Sequence, residues 1–214
     1  MNPKFYNLPP EKQQAVINAG FHVFSQNSYK KSPMSEIAEA AGISKSLLFH
    51  YFSNKKELYL FLWDTCARIT AEEMEKNGCY EQADLFESME KGMQVKLELM
   101  RRYPDISMFS IRAFYEKDPE VRDEIRKSMN HYLQIHAAGK LAALDPDDFL
   151  PGIDLDLMYR EMYLASEGYL WEKMQEGNID VAEMEKDFRK LIDFWKSIYT
   201  RKPKGADENE RMRL

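Results

Sequence analysis

One short segment of this sequence gathers hydrogen-bond donors and flat rings. Lys45, Ser46 and His50 carry donors, and Phe49 and Tyr51 stand among them. A helix with such a set on one face fits the major groove of DNA, where base edges present hydrogen-bond groups and thymine presents a methyl group. The segment therefore predicts a nucleic-acid contact, provided that neighbouring helices leave this face free.

The residue spacings of an enzyme or a metal site are missing. His131 and His136 are five residues apart, about 140° around a helix, so they cannot share a metal as an i, i+4 pair can. No histidine has Glu three residues before it, and Gly-rich phosphate loops, Gly-x-Ser-x-Gly and Cys-x-x-Cys do not occur. We expect no catalysis, no metal and no cofactor.

The residues around the segment predict a helix-turn-helix. A helix with Ser32 as N-cap and Pro33 at its first position ends at Gly42, which permits a sharp turn. Ser44 then caps a short helix that runs to about Phe52. A small core is expected from Ile37, Ala38, Ala41, Ile43, Leu48 and Phe52.

Nearly every other segment has a period of 3.6 residues, which predicts an all-α protein. The first helix is expected at 10–26, with Asn27 as a left-handed cap. Asn54 and Glu57 form a capping-box variant that opens a helix to about residue 76. Later helices are expected at 81–102, 105–116, 119–144, 155–176 and 181–200, followed by a disordered tail at 201–214.

A longer string, over about residues 9–62, resembles the DNA-binding domain of the TetR family of transcriptional repressors. The string consists of Phe24, Tyr29, Ile37, Ala38, Ala41, Gly42, Ile43, Ser44, Lys45, Ser46, Leu48, Phe49, His50, Tyr51, Phe52, Asn54, Lys55 and Leu58. The resemblance implies a three-helix N-terminal DNA-binding domain (1–54), a connecting helix (55–76) and a larger helical domain for effector binding and dimerisation (77–200).

The resemblance also assigns roles in DNA binding. Lys45 and Ser46, next to the cap Ser44, are implied to read base edges, and Phe49 to make an apolar contact. His50, Tyr51 and Lys55 are implied to contact phosphates. Three residues depart from the family pattern: Asn27 replaces a usual Gly, Pro33 replaces a common Ser or Thr, and Leu47 replaces a small or polar residue. Leu47 could touch a thymine methyl or pack against the first helix.

Charge is compatible with this interpretation but does not prove it. The net charge of −6 argues against a polyanionic partner, yet residues 1–60 hold seven lysines and four acids, or +3, leaving −9 for the rest. A basic head for DNA and an ordinary solvated surface both fit such a segment. The alternative function is a helical protein–protein adaptor with a vestigial helix-turn-helix.

The second domain is rich in adaptable apolar side chains, with ten of the 13 methionines between Met74 and Met184. Such residues suit a pocket for a lipophilic or aromatic molecule, although any single one could equally be core. The pocket itself is implied by the resemblance. Its candidate lining residues are Met89, Met93, Met100, Phe109, Phe114, Tyr132, Tyr159, Met162 and Tyr163.

The last predicted helix carries a continuous apolar seam, and the resemblance implies that the last two helices form a four-helix bundle between two protomers. The candidate interface residues are Ala165, Ser166, Tyr169, Met184, Phe188, Leu191, Trp195 and Ile198, and Val181 begins the seam. Together these features predict a homodimeric repressor that a small lipophilic or aromatic effector releases from an inverted-repeat DNA operator.

Composition sets the compartment that we expect. The longest apolar stretches, such as 59–63, fall far short of the roughly 20 residues that a membrane span requires, and the N-terminus does not resemble a signal peptide. Cys66 and Cys79 are too few for a disulfide framework. These observations predict a cytoplasmic protein with free thiols.

Overall fold

The computed structural model describes the backbone of residues 3–81, 84–177 and 179–201, and their side chains outside 132–140. The all-α prediction is confirmed for these residues, which form nine α-helices and two short 3-10 helices, Pro3–Phe5 and Pro146–Asp148. The α-helices are α1 (Pro10–Gln26), α2 (Met34–Ala40), α3 (Lys45–Tyr51), α4 (Lys55–Lys76), α5 (Leu85–Arg102), α6 (Pro104–Phe114), α7 (Arg122–Ala143), α8 (Leu155–Glu176) and α9 (Val181–Tyr199). Of the predicted disordered tail, residues 202–214 lie outside the described residues.

Local capping decides several helix ends as predicted. The Ser44 hydroxyl accepts a hydrogen bond from the Leu47 amide at 3.2 Å, and Asn54 Oδ1 accepts one from the Glu57 amide at 2.8 Å. Gly42 has a φ of +66°, the left-handed conformation that the turn between α2 and α3 requires. The start of α3 and the start of α4 are therefore fixed by their own sequences.

Two predicted caps are wrong. Asn27 has a φ of −129°, so the chain leaves α1 in an extended conformation, and Asn27 Nδ2 of the side chain donates to the Val23 carbonyl at 3.4 Å. Ser32 does not cap α2, because its hydroxyl is fully buried and donates to the Ser28 carbonyl at 3.0 Å. Pro33 is the N-cap instead.

Two later helices begin after their predicted start. The helix expected from residue 81 begins at Leu85, since Asp84 Oδ1 accepts from the Glu87 amide at 2.9 Å and so caps α5. The helix expected from residue 119 begins at Arg122, because a turn held by the Asp118 side chain and carbonyl comes first.

The chain divides into two compact units. Unit 1 comprises residues 1–77 and 95–134, and unit 2 comprises 78–94 and 135–214. This division differs from the predicted one, which assigned everything after residue 76 to a single domain. The reason is that α6 and the start of α7 pack into the core of the N-terminal helices.

Aromatic rings form the centre of unit 1. Phe109 of α6 is fully buried, with ring centroids 5.3 Å from Phe21 and 5.1 Å from Tyr59. Helices α1 and α4 approach closely at Gly20, where an added Cβ would lie 2.6 Å from Leu62 Cδ1. The predicted helix-turn-helix core is confirmed for Ile37, Ala38, Leu48 and Phe52, which are buried, while Ala41 and Ile43 are partly buried.

Unit 2 is built around the last two α-helices. Met158 and Met162 of α8 are buried, as are Met184, Ile192 and Trp195 of α9. Between these two helices the ring of Tyr169 lies 4.9 Å from that of Phe188, and its hydroxyl donates to Asp187 at 3.1 Å. Helix α8 ends at Gly177, whose φ of +71° provides a left-handed cap.

Cys66 and Cys79 are both free thiols, and both are buried. None of the described helices combines the length and the apolar character needed to cross a membrane.

Candidate nucleic-acid interface

Helix α3 has one packed side and one open side. Leu48 and Tyr51 face inward, whereas Lys45, Ser46, Leu47, Phe49 and His50 are exposed. The open side therefore carries one ammonium group, a hydroxyl, an imidazole and two large apolar side chains. These groups can donate to base edges and phosphates and can touch thymine methyl groups.

The apolar members of this face are informative because they lie in water in the isolated chain. Leu47 and Phe49 are both exposed, and the Lys45 ammonium stands 5.9 Å from the centre of the Phe49 ring. Leu47 is 37% exposed, so part of its side chain is available to a thymine methyl.

Tyr51 does not lie on the open face, and that part of the sequence prediction is wrong. Its side chain is only 7% exposed, and its ring packs edge-on against Phe5 with centroids 5.8 Å apart. The period of a helix explains the difference, because residue 51 follows Leu48 by three and shares its inward side. A phosphate contact by Tyr51 stays a prediction and would involve the outer edge of a packed ring.

Phe5 packs against α3 and was not predicted from the sequence. It belongs to the first 3-10 helix, is fully buried, and contacts Phe52 at 5.1 Å and Phe61 at 5.5 Å between ring centroids, in addition to Tyr51. Phe5 thus packs against the buried side of α3. The available signal was an aromatic pair, Phe5 and Tyr6, in an otherwise polar N-terminal segment.

Lys55 is at the start of α4 as expected, but its ammonium group is engaged inside the chain. Lys55 Nζ donates to the carbonyls of Tyr29 at 2.8 Å and Lys30 at 3.3 Å, and stands 4.5 Å from the Tyr29 ring centre. These hydrogen bonds do not test the implied contact between Lys55 and a phosphate. They do occupy two of the three N–H donors of the ammonium group. The neighbouring lysines Lys30 and Lys31 are exposed in the loop before α2.

The predicted effector residues fall in both units. Met100 and Phe114 are half-buried in unit 1, and Phe109 is fully buried there among aromatic side chains, so Phe109 is a core residue. The side chain of Tyr132 lies outside the described residues. Unit 2 contains Met89, Met93, Tyr159, Met162 and Tyr163, of which Met93 and Met162 are buried.

The predicted dimer residues do not share one exposed face. Met184 and Trp195 are each 1% exposed within a single chain, so they belong to the core of unit 2 and the prediction that they form an interface is wrong. Ala165, Ser166, Tyr169, Phe188 and Leu191 are half-buried, and Ile198 is exposed. The Ser166 hydroxyl is used within α8, where it donates to the Met162 carbonyl at 2.8 Å.

Some apolar side chains of the last two helices do reach solvent. They are Leu157 and Leu164 of α8 and Phe194 and Ile198 of α9, of which only Ile198 belongs to the seam predicted from the sequence. Exposed apolar side chains that adjoin one another mark interaction sites in soluble proteins.

The capped α3, the left-handed turn at Gly42 and the open basic and apolar face define a helix-turn-helix DNA-binding protein. Comparison with known proteins identifies the family of this domain. Residues 16–61 match the family of bacterial regulatory proteins described as the tetR family. The helix-turn-helix of this chain is therefore of the TetR type.

Relatives and solved structures are similar to this chain beyond residues 16–61. The HTH-type transcriptional regulator RutR of Escherichia coli (strain K12) is 26% identical over 147 residues, which is 65% of this chain and 68% of RutR. A TetR family regulator from Chloroflexus aurantiacus J-10-FL has a TM-score of 0.67 at 21% identity, over 94% of this chain and 99% of that one. The transcriptional regulator FadR from Bacillus subtilis, in complex with stearoyl-CoA, has a TM-score of 0.65 at 19% identity, over 86% and 97%.

Proposed function

We propose that the protein is a homodimeric repressor that binds an inverted-repeat operator through α3 and leaves it when a small lipophilic or aromatic effector binds. The observation that carries the proposal is the open face of α3, where Lys45 stands beside exposed Leu47 and Phe49. Two large apolar side chains left in water are explained if base edges and methyl groups cover them in the complex.

Dimerisation follows from the size of the recognition helix and from the apolar face of unit 2. Helix α3 has seven residues, so one copy offers few contacts, and two related copies on a palindromic site double them. Leu157 and Leu164 are seven residues apart, and Phe194 and Ile198 are four apart, so each pair lies along one side of its helix. We therefore place the dimer interface on these four residues.

The effector site is proposed within unit 2, among Met89, Met93, Tyr159, Met162 and Tyr163. Burial raises the pKa of the Tyr159 and Tyr163 hydroxyls, and for Tyr163 the charge of Glu167 adds to this effect. The first cause of both shifts is removal of the hydroxyl from water, which suits a site for an apolar ligand. The stearoyl-CoA bound to FadR of Bacillus subtilis supports a lipophilic class of ligand.

Release from DNA would be a shift between two conformers of the dimer. An effector that prefers the conformer with misplaced recognition helices lowers operator affinity by the ratio of its affinities for the two conformers. We expect the repressor to act in the cytoplasm and to catalyse no reaction.

The first test is selection of binding sites from random double-stranded DNA, followed by fluorescence anisotropy on the selected operator. An inverted repeat is expected. Lys45→Ala should cost about 1 to 3 kcal/mol of binding free energy and relax the preference at one position in each half-site. Lys12→Ala removes a lysine of α1 and serves as the matched control, with its base preference unchanged. If only asymmetric sites are selected, a dimer that binds DNA through two copies of α3 is excluded.

The second test is calorimetric titration of lipophilic ligands with and without operator. Because coupling is reciprocal, the operator must weaken the effector by the same factor by which the effector weakens the operator. A ligand that binds with equal affinity in both conditions is not the effector.

A further inference from the structure

Tyr29 is held on three sides, although it lies in the loop between α1 and α2. Its side chain is buried, with its ring 5.1 Å from that of Tyr59. Its carbonyl accepts from Lys55 Nζ at 2.8 Å, and its amide donates to Glu116 Oε2 at 2.8 Å. Lys55 opens α4 and Glu116 lies in the segment just after α6, so one loop residue is bound from two separate parts of unit 1.

The Glu116 carboxylate binds the loop between α1 and α2 through one oxygen and is itself held in place through the other. Its second oxygen, Oε1, accepts from the amides of Lys117 at 2.8 Å and Asp118 at 3.0 Å. The carboxylate is therefore fixed by its own neighbours in sequence and presents Oε2 to Tyr29 in a defined position. Hydrogen bonds of this charge-assisted kind are stronger than neutral ones.

Lys55 completes the arrangement from the other side. Its ammonium donates to two successive carbonyls, those of Tyr29 and Lys30, and stands 4.5 Å from the Tyr29 ring centre. An ammonium has three N–H donors, so at most one remains for a phosphate. The geometry favours a role in shaping the loop over a role in neutralising DNA.

This loop matters for DNA binding because it leads directly into the helix-turn-helix. Helix α2 begins immediately after Pro33, and α3 packs on α2 and on the first 3-10 helix. The orientation of α2 relative to α1 therefore sets the orientation of α3. A loop fixed at Tyr29 fixes the recognition helix.

We propose that Lys55, Tyr29 and Glu116 form a clamp, the Tyr29 clamp, in which Lys55 and Glu116 are positioning residues for the recognition helix. The proposal rests on the proposed function, since it assumes that α3 binds the operator. It adds that an acidic residue distant in sequence from the helix-turn-helix is needed for tight binding. It also assigns Lys55 a role other than the phosphate contact implied by the family resemblance.

Glu116 gives the sharper test, because electrostatics and positioning predict opposite signs. Removing an acidic residue should strengthen binding to a polyanion if charge alone matters. If the clamp positions α3, Glu116→Ala weakens operator binding about tenfold, the lower end for a hydrogen bond to a charged group. Glu116→Gln keeps an acceptor oxygen and should recover most of the affinity. Glu11→Ala, an exposed acidic residue at the start of α1, is the charge-matched control and should not weaken binding.

Lys55→Met tests the other half of the clamp through salt dependence. This variant keeps an apolar stem against the Tyr29 ring and loses the charge. The clamp predicts weaker binding, by about tenfold, with an unchanged slope of log affinity against log salt. A phosphate contact predicts instead that the slope becomes shallower by about 0.9 for each recognition helix. In the double variant with Glu116→Ala, the losses should combine to less than the product of the two single losses, since both act through Tyr29.

Hydrogen exchange in the absence of DNA separates failure of the clamp from failure of the proposed function. The clamp predicts that Glu116→Ala and Lys55→Met speed exchange in peptides that cover residues 28–37, while peptides of unit 2 keep their wild-type rates. Wild-type affinity for the operator tests the proposed function by itself. Unchanged exchange in 28–37, unchanged or tighter binding by Glu116→Ala, or a shallower salt slope for Lys55→Met would each overturn the clamp.

Discussion

Replacing Phe5 with Ala should destabilise the recognition helix far more than its place near the N-terminus suggests. The Phe5 side chain is fully buried, and its ring contacts those of Tyr51, Phe52 and Phe61 at centroid distances between 5.1 and 5.8 Å. Loss of the ring removes its transfer free energy and leaves a cavity under α3. Core Phe→Ala changes of this kind cost about 3 to 5 kcal/mol.

The segment that carries Phe5 limits this loss. It is a three-residue 3-10 helix held by backbone bonds such as that from the Leu8 amide to the Phe5 carbonyl at 3.2 Å. Because a short terminal segment can detach locally, we expect the lower part of the range, about 3 kcal/mol. Phe5→Leu refills most of the space and should cost about half as much or less.

Hydrogen exchange by mass spectrometry measures the effect where it is expected, because peptides from α3 and the start of α4 report on the cavity directly. Tyr6→Ala is the matched control, since this neighbouring aromatic side chain is 59% exposed and its loss should cost less than about 1 kcal/mol. Operator affinity should fall with Phe5→Ala and not with Tyr6→Ala. Equal, small effects of the two variants on α3 would refute the idea that Phe5 supports the recognition helix.

Three further outcomes are expected from the structure. Leu164→Glu introduces a charge at a side chain that is 56% exposed in the single chain, so this variant should sediment as a folded monomer. Trp195→Glu buries a charge in the core and should unfold unit 2. A Leu164→Glu variant that stays dimeric would place the interface elsewhere. Gly20→Ala should destabilise unit 1 by about 1 to 3 kcal/mol in chemical denaturation, because the new Cβ meets Leu62 Cδ1. In a Leu62→Ala background, which lacks that atom, Gly20→Ala should cost less than in the wild type, and an equal cost would argue against this close approach. Burial, and then a hydrogen bond to a carboxylate, raise the pKa of Tyr169 to about 12. The stability that this residue contributes is therefore complete below about pH 10 and is lost as the pH rises through about 12. Tyr169→Phe should remove that part of the alkaline unfolding transition in circular dichroism, and an unchanged transition would contradict this prediction.

Local sequence determined where α3 and α4 begin and where the chain turns between α2 and α3. Ser44 and Asn54 cap the two helices that come after them, and Gly42 takes the left-handed conformation between α2 and α3. These interactions join residues within a few positions of each other, so residue type and spacing are sufficient to predict them. The same locality is why the helix-turn-helix and the exposed positions of Lys45, Ser46, Phe49 and His50 could be predicted from residue order alone.

Two predicted caps failed because the side chain concerned bonds to the carbonyl four residues before it. Ser32 has a favourable cap residue type, but its side chain is buried and its hydroxyl bonds to the preceding turn. Asn27 suits a left-handed cap, yet the chain leaves α1 extended towards Tyr29, which the clamp holds. Local propensity is a weak prior when a neighbouring residue is fixed from outside the segment.

Only the tertiary structure decided which apolar residues face inward. The seam on α9 includes Trp195 and Ile198, which have the same hydrophobic character in sequence, but Trp195 is in the core and Ile198 is exposed. Helical periodicity identifies an apolar stripe and does not say whether the same chain or a second copy covers it. For Tyr29 the decisive partners, Lys55 and Glu116, lie 26 and 87 residues further along the chain. Contacts over such separations depend on how helices pack, and no local pattern in the sequence records them.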